Sequence, residues 1–330
     1  MKEALYYKPQ PVNKVLCTLC PKRCKIRNQG TGDCRVRMNA DGKLYSSIHG
    51  KVGAKSVDPI ERIPVFHYLP GSLFFSIGTN GCNFTCTFCN EWQLSQKHVA
   101  TEAMTPKDVV DLADANGTVG VAYRYNEPMV WYEFVLDCAR AAREKGLKNV
   151  MITNGFVSED AFREILPHFD AVTIDLKSMA ETFFRQMCTG QMEPVLKSLK
   201  IAREYCWTEV SYLLIPKLND TERSVEAAVE YVASVSPDIP LHFLRFTPQY
   251  QLTHLPNTPD EALVRAREIG RKVLKHVYVD DLAAENGAST LCPQCGAVAV
   301  LRRGLMVQEK HMKGNACEAC GAVIPGVFKA

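Results

Sequence analysis

Nothing in this chain is apolar for long enough to span a membrane as a helix, because no run of about eighteen apolar residues occurs. The first residues, Met1 to Gln10, lack the charged-then-apolar pattern of an export signal, so a cytoplasmic location is expected. A disordered composition is missing too: 46% of the 330 residues are hydrophobic and 23% charged, the proportions of a folded chain. Large net charge is also absent, the sum being +3. Cysteine, by contrast, is abundant. Fourteen of them in a reducing compartment point to metal rather than to disulfides.

The cysteines are grouped. Cys17, Cys20, Cys24 and Cys34 form one set, Cys82, Cys86 and Cys89 a second, and Cys292, Cys295, Cys317 and Cys320 a third. Cys138, Cys188 and Cys206 stand alone and read as small buried hydrophobes. Charge divides along similar lines: residues 1–70 carry +8, residues 286–330 carry +3 and the middle carries −8. Lys22, Arg23, Lys25, Arg27, Arg35 and Arg37 surround the first cysteine set, where they compensate the charge of metal-bound thiolates. Nucleic acid is not the expected partner.

Between the cysteine-rich ends, six β-branched or aromatic runs read as buried strands: Leu73–Ile77, Val119–Tyr123, Asn149–Thr153, Ala171–Leu176, Glu209–Ile215 and Leu241–Phe246. Helical stretches separate them. Thr105-Pro106-Lys107-Asp108 predicts a capped helix start, Asn116-Gly117 its end, and Thr258-Pro259-Asp260-Glu261 a second start of the same kind. Met129 to Lys145 predicts another helix, stopped at Gly146. Six alternations imply an α/β fold with parallel strands, either a partial, open (β/α)6 TIM-like barrel or a doubly wound sheet. The expected domains are an N-terminal Cys-rich metal-binding segment (1–70), the barrel (71–285) and a C-terminal zinc-ribbon-like segment (286–330). In such folds the working residues lie at the carboxyl ends of the strands. Those ends hold Gly78 to Gly81 with the three-cysteine group, Arg124 to Pro128, Thr153 to Phe156, Asp175 to Lys177, Ile215 to Lys217 and Arg245 to Pro248.

Cys82, Cys86 and Cys89 have the spacing C-x3-C-x2-C, with Phe88 before the last. Three thiolates leave one position open on a metal centre, which reactive chemistry requires. The spacing, Phe88 and the β/α repeats resemble the radical SAM superfamily. That resemblance implies a [4Fe-4S] cluster on the three cysteines and S-adenosylmethionine on its fourth iron. It implies reductive cleavage to methionine and a 5′-deoxyadenosyl radical that removes a hydrogen atom from a substrate. Phe88 would pack near the adenine, and Asn126-Glu127-Pro128 would stand for the family's Gly-Gly-Glu segment, with Glu127 accepting from the methionine ammonium.

The Thr153–Phe156 segment, with Asn154, and Asp175-Leu176-Lys177 resemble pyruvate formate-lyase activating enzymes, which implies Lys177 near the methionine carboxylate and Asp175 beside it. Ile152 stands where those enzymes carry an acidic residue. Along the whole length the chain is similar to the radical SAM member of the AmmeMemoRadiSam system. The matching stretches are Cys17–Arg37, Asp58–Glu61, His67–Ser72, Ser76–Gln96, Tyr125–Pro128, Pro216–Asp220, His242–Pro248 and the C-terminal cysteine pairs. The resemblance implies a flavodoxin or ferredoxin reductant, a small-molecule or protein substrate and a Memo-like partner. Arg245 and Tyr125 are candidate catalytic residues beside Lys177. His67 and His242 read as structural.

The last four cysteines form two C-x2-C-G knuckles, the pattern of a closed structural zinc site. The first four fit zinc or an auxiliary [4Fe-4S] cluster. Two rival functions remain from the residues alone, an iron–sulfur electron carrier and a zinc-bearing RNA-binding or RNA-modifying protein.

Overall fold

The computed structural model describes residues 1–279 and 287–329. The expected boundary at residues 285 and 286 therefore lies outside the described residues. Its centre is one eight-stranded sheet: β1 (Ala54–Pro59), β2 (Leu73–Gly78), β3 (Gly120–Tyr123), β4 (Lys148–Thr153), β5 (Ala171–Asp175), β6 (Trp207–Leu214), β7 (Leu241–Arg245) and β8 (Val277–Val279). The strands lie side by side in sequence order, and the terminal strands do not pair with each other, so the sheet is open. All neighbours are parallel except β1 and β2. The six expected strands are present. Sequence reading omitted β8, only three residues long, and β1, an edge strand interrupted by Lys55 and Asp58.

Helices α1 (Pro106–Ala115), α2 (Tyr132–Glu144), α3 (Glu159–Ile165), α4 (Met192–Tyr205), α5 (Glu222–Val235) and α6 (Asp260–Arg271) alternate with these strands. Helix α1 starts as its residues dictate. Thr105 accepts from the Asp108 amide at 3.2 Å, the Asp108 carboxylate accepts from the Thr105 amide at 2.7 Å, and Gly117 takes φ +64° past the end. Helix α6 corrects the expectation at Thr258. The Thr258 hydroxyl accepts from the Phe246 amide at 2.8 Å and donates to the Leu214 carbonyl at 2.6 Å. The residue is fully buried, and strand-end backbone groups take the oxygen that a helix cap would have used.

The lower end of the barrel is closed by the chain itself. Ile60, Ile63, Val65, Tyr68 and Leu69 pack with Phe74, Ala122, Val150 and Ala171 as a separate apolar cluster. Ile60, Ile63 and Val65 are wholly buried, so each contributes roughly 1.5–3 kcal/mol of burial. Two buried polar knots lock this plug. The Glu209 carboxylate accepts from the Phe66 and His67 amides and meets His242 Nε2 at 2.6 Å. Glu61 pairs with Arg302 of the C-terminal segment at 3.2 Å, both side chains being fully enclosed. His67 and His242 are both fully buried, with His67 Nε2 2.5 Å from the Tyr278 hydroxyl. Among the described residues no helix is long and apolar enough to cross a membrane.

Candidate functional site at the carboxyl ends of the strands

The carboxyl ends of β2 to β7 surround a cavity of about 340 Å³. Cys82, Cys86 and Cys89 line it, together with Phe88, Tyr125, Asn126, Glu127, Asn154, Asp175 and Lys177. Residues as far as 95 apart in sequence thus converge on one site, because every strand delivers its last residues to the same end.

The cysteine loop is held from several sides. The Asn126 side chain accepts from the Thr79 amide at 3.0 Å and donates to the Gly81 carbonyl at 2.8 Å. The Asn154 side chain donates to Asn83 Oδ1 at 2.9 Å and reaches the Cys82 sulfur at 3.9 Å. The Phe84 amide points at the Cys82 sulfur at 3.4 Å, and the Ser95 hydroxyl lies 3.1 Å from the Cys89 sulfur. Donors aimed at sulfur favour thiolates. Cys188, expected to be an inert apolar residue, is buried against this loop and shares a hydrogen bond with Cys86, which together with burial pushes the Cys86 thiol far above its ordinary range.

The charged residues are arranged in depth. Both Glu127 oxygens are engaged, one by Thr153 Oγ1 at 2.7 Å and the Met129 amide at 3.0 Å, the other by the Asn154 amide at 2.7 Å. Burial outweighs these donors and raises its carboxyl to about 7. Burial would lower the Lys177 ammonium, but Asp175, with which it pairs, and Cys86 raise it well above its usual value. Lys177 also lies 5.8 Å from the centre of the Phe88 ring. A cationic lysine, a carboxylate and three thiols around one cavity match an anionic thiolate cluster carrying a bound zwitterionic amino-acid group, so the residues present fit such a cofactor.

Residues 76–232 match the family model described as the Radical SAM superfamily. The chain belongs to the radical SAM superfamily. Membership implies an enzyme that uses S-adenosylmethionine and an iron–sulfur cluster for radical chemistry. An uncharacterised protein of Methanocaldococcus jannaschii is 37% identical over 332 residues, covering 98% of this chain and 99% of that one. The pyruvate formate-lyase 1-activating enzyme of Escherichia coli strain K12 is 26% identical over 171 residues, 49% of this chain and 69% of that enzyme. Among solved structures, a radical SAM methyltransferase from Sphaerobacter thermophilus shares the fold with a TM-score of 0.51 at 14% identity, over 67% of this chain and 71% of that one.

The two strand-end candidates Arg245 and Tyr125 stand differently toward the cavity. Arg245 is not among the residues lining the cavity. Its guanidinium donates to the Thr258 carbonyl at 2.5 Å and to Asp260 at 2.6 Å, which ties β7 to the start of α6. Tyr125 does line the cavity, held at φ +76° with its hydroxyl 2.5 Å from Ser56. Arg124 stacks 4.7 Å from the Tyr125 ring centre and reaches Asp58 at 3.2 Å. Sequence reasoning missed Arg62 and Pro64, which the plug brings to the cavity, and Glu91 from the cysteine loop. It also missed Ser211, Leu213 and Leu244. A signal for Ser211 and Leu213 exists in the period-2 alternation of β6, which turns both to the inner face. Arg62 and Pro64 carry no such signal.

Outside this cavity, Cys292, Cys295, Cys317 and Cys320 bring their sulfurs within 4.8 Å of one another, a metal-binding arrangement. Gly296 and Gly321 follow the knuckles at φ +74° and +77°, which lets each chain reverse behind its sulfur. Cys17, Cys20, Cys24 and Cys34 line a second enclosed cavity with Leu19, Met129 and Val130.

Proposed function

We propose that this radical SAM enzyme holds its [4Fe-4S] cluster on Cys82, Cys86 and Cys89 and acts by hydrogen-atom abstraction from a small molecule or a partner protein. The convergence of these three thiols with Glu127 and Lys177 on one cavity is the observation that carries the reading. When bound, the cluster and S-adenosylmethionine supply one-electron cleavage of a carbon–sulfur bond and a 5′-deoxyadenosyl radical. The protein supplies binding and orientation. In this reading Glu127 accepts from the methionine ammonium, and Lys177, oriented by Asp175, meets the carboxylate. Phe88 flanks the adenine, while Asn126 and Asn154 hold the cysteine loop in register. Tyr125, Arg62 and Glu91 form the wall facing the substrate, and Arg245 fixes the β7–α6 corner. The plug of residues 60–69 shuts out water from below, so substrate enters at the strand ends.

The reading extends to a flavodoxin or ferredoxin as electron donor, and to the AmmeMemoRadiSam system with a Memo-like partner, supported by the stretches quoted above. Zinc fits the C-terminal quartet, where Cys292 and Cys320 lie 3.6 Å apart and Cys295 and Cys317 3.8 Å. Four sulfurs about 2.3 Å from one ion stand at about such separations. The parts 1–70, 71–285 and 286–330 then divide metal-binding ends from a catalytic centre.

Anaerobic, reduced protein incubated with S-adenosylmethionine is expected to release 5′-deoxyadenosine, with Cys86→Ala releasing none. Equal yields from both proteins would overturn the proposal. An electron carrier is distinguished by calorimetry, since it would show no affinity for S-adenosylmethionine.

A further inference from the structure

The N-terminal quartet is packed differently from the C-terminal one. Among the described residues, the C-terminal quartet is the one set of such donors gathered closely enough for a single ion. Cys17, Cys20, Cys24 and Cys34 are not gathered in that way, although all four face one closed cavity. One ion draws four sulfurs together, whereas a cubane cluster holds each cysteine on a different iron and keeps them apart.

The space between the sulfurs agrees with the wider arrangement. The centre of a water-sized sphere can range over about 20 Å³ there. A water radius of about 1.4 Å added to that range gives a void of about 3 Å radius, the scale of a compact core of four irons and four sulfides. Leu19, Met129 and Val130 make one part of the lining apolar. Polar groups are directed at the sulfurs instead. The Asp33 amide points at the Cys24 sulfur at 3.5 Å, the Lys22 amide at Cys20, and the Val36 and Arg37 amides at Cys34. Amides on three of four sulfurs are the environment that stabilises cluster thiolates. Lys22 and Arg37 also line the cavity, paired with Asp33 at 3.3 Å and Glu133 at 3.0 Å.

The quartet also abuts the catalytic loop. Asn83, which follows Cys82 in the chain, lines this cavity while accepting from Asn154 in the other. Gly81, at φ +93°, leaves no room for a side chain: a Cβ there would lie 2.6 Å from Val36 and 2.8 Å from the Cys34 carbonyl.

We infer that Cys17, Cys20, Cys24 and Cys34 bind a second [4Fe-4S] cluster, with every iron ligated by protein, back to back with the catalytic loop. This inference is independent of what Cys82, Cys86 and Cys89 hold, and its test separates the two. Iron and zinc are counted on full-length, anaerobically prepared protein, alongside a Cys82→Ala/Cys86→Ala/Cys89→Ala variant. The wild type is expected to contain about eight irons and one zinc per chain. The triple variant should keep about four irons, with a reduced-cluster paramagnetic resonance spectrum that S-adenosylmethionine does not change. About four irons and two zincs in the wild type, with none of the iron left in the triple variant, would overturn the inference while leaving the catalytic reading intact. If the triple variant does not fold, the wild-type counts decide alone. Conversely, about four irons that are lost on Cys20→Ser/Cys24→Ser and retained by the triple variant would sink the catalytic reading and uphold this one.

Discussion

Cys292 and Cys317 belong to a small core of their own, with Ala299, Val300, Ile324 and Phe328, whereas Cys17 and Cys34 are buried in the same core as the barrel helices. The C-terminal knuckles are repeated units: each cysteine-led turn closes on itself, through Gly296 to Cys292 at 2.9 Å and Gly321 to Cys317 at 2.8 Å. The N-terminal quartet has no such autonomy. Its cavity is completed by Asn83, Met129 and Val130, from two different strand-end loops. Four cysteines therefore stand in one place within a small core of their own, and in the other within a wall shared with the barrel core. The donor set is the same. What differs is how much of the surrounding shell the segment provides for itself.

The difference is sharpened most strongly by removing the C-terminal metal. Cys295→Ser/Cys320→Ser should cost the segment local folding energy on the order of 10 kcal/mol, read as loss of amide-exchange protection across residues 290–327. Protection in α1 and α2 should remain, and its equal loss would show that the two parts are not energetically separable.

Next in size is the buried tie between them. Arg302→Ala leaves Glu61 buried without its cation and should destabilise the chain by about 3–5 kcal/mol in denaturant titration, whereas a double Arg302→Met/Glu61→Gln exchange should recover much of it.

At the other quartet, Gly81→Ala forces a methyl group into Val36 and the Cys34 carbonyl at positive φ. A loss of about 2–3 kcal/mol is expected, with altered resonance spectra of the iron centres as the specific readout. Unaltered spectra would break the claim that the two cysteine sets share a wall.

Glu127 belongs to that same wall through the Asn154 amide. Its carboxyl, raised by burial to about 7, must be ionised to meet an ammonium group. Protonation thus competes with binding as pH falls. S-adenosylmethionine affinity should weaken about tenfold per unit below about pH 7 and level off above it, measured by calorimetry. A Glu127→Gln variant should lose this dependence. The smallest effect is expected at Gly321→Ala. No atom lies within 4 Å of the new methyl group, so only the φ of +77° resists, at about 1 kcal/mol.

Much of this was legible in the residues. Apolar runs between turn residues located the six central strands because buried parallel strands must be continuously apolar. The spacing of Cys82, Cys86 and Cys89 located the site because ligands on one short loop are neighbours in any fold. The rule that strand ends meet gathered the segments Arg124–Pro128 and Asp175–Lys177, and the family resemblance singled out Glu127 and Lys177 within them. Other features depended on tertiary packing that no local pattern records. Residues 60–69 lie between Pro59 and Pro70, and only their position inside the barrel makes them a plug. Arg62 reaches the cavity for that reason alone. Arg245 sits at a strand end as expected, yet Asp260 fifteen residues on claims its guanidinium. Cys188 had no neighbouring cysteine in sequence to mark it, and its role arises from the turn that folds it onto Cys86.

The pairing of Glu61 with Arg302 spans 241 residues of chain. During synthesis from the N-terminus, the carboxylate emerges long before the guanidinium that neutralises it, and the Phe66 carbonyl waits for the same side chain, which reaches it at 2.7 Å. The barrel floor can therefore be latched only after Arg302 has left the ribosome. All seven cysteines of the first two groups have emerged by then, while the base of the barrel is still open.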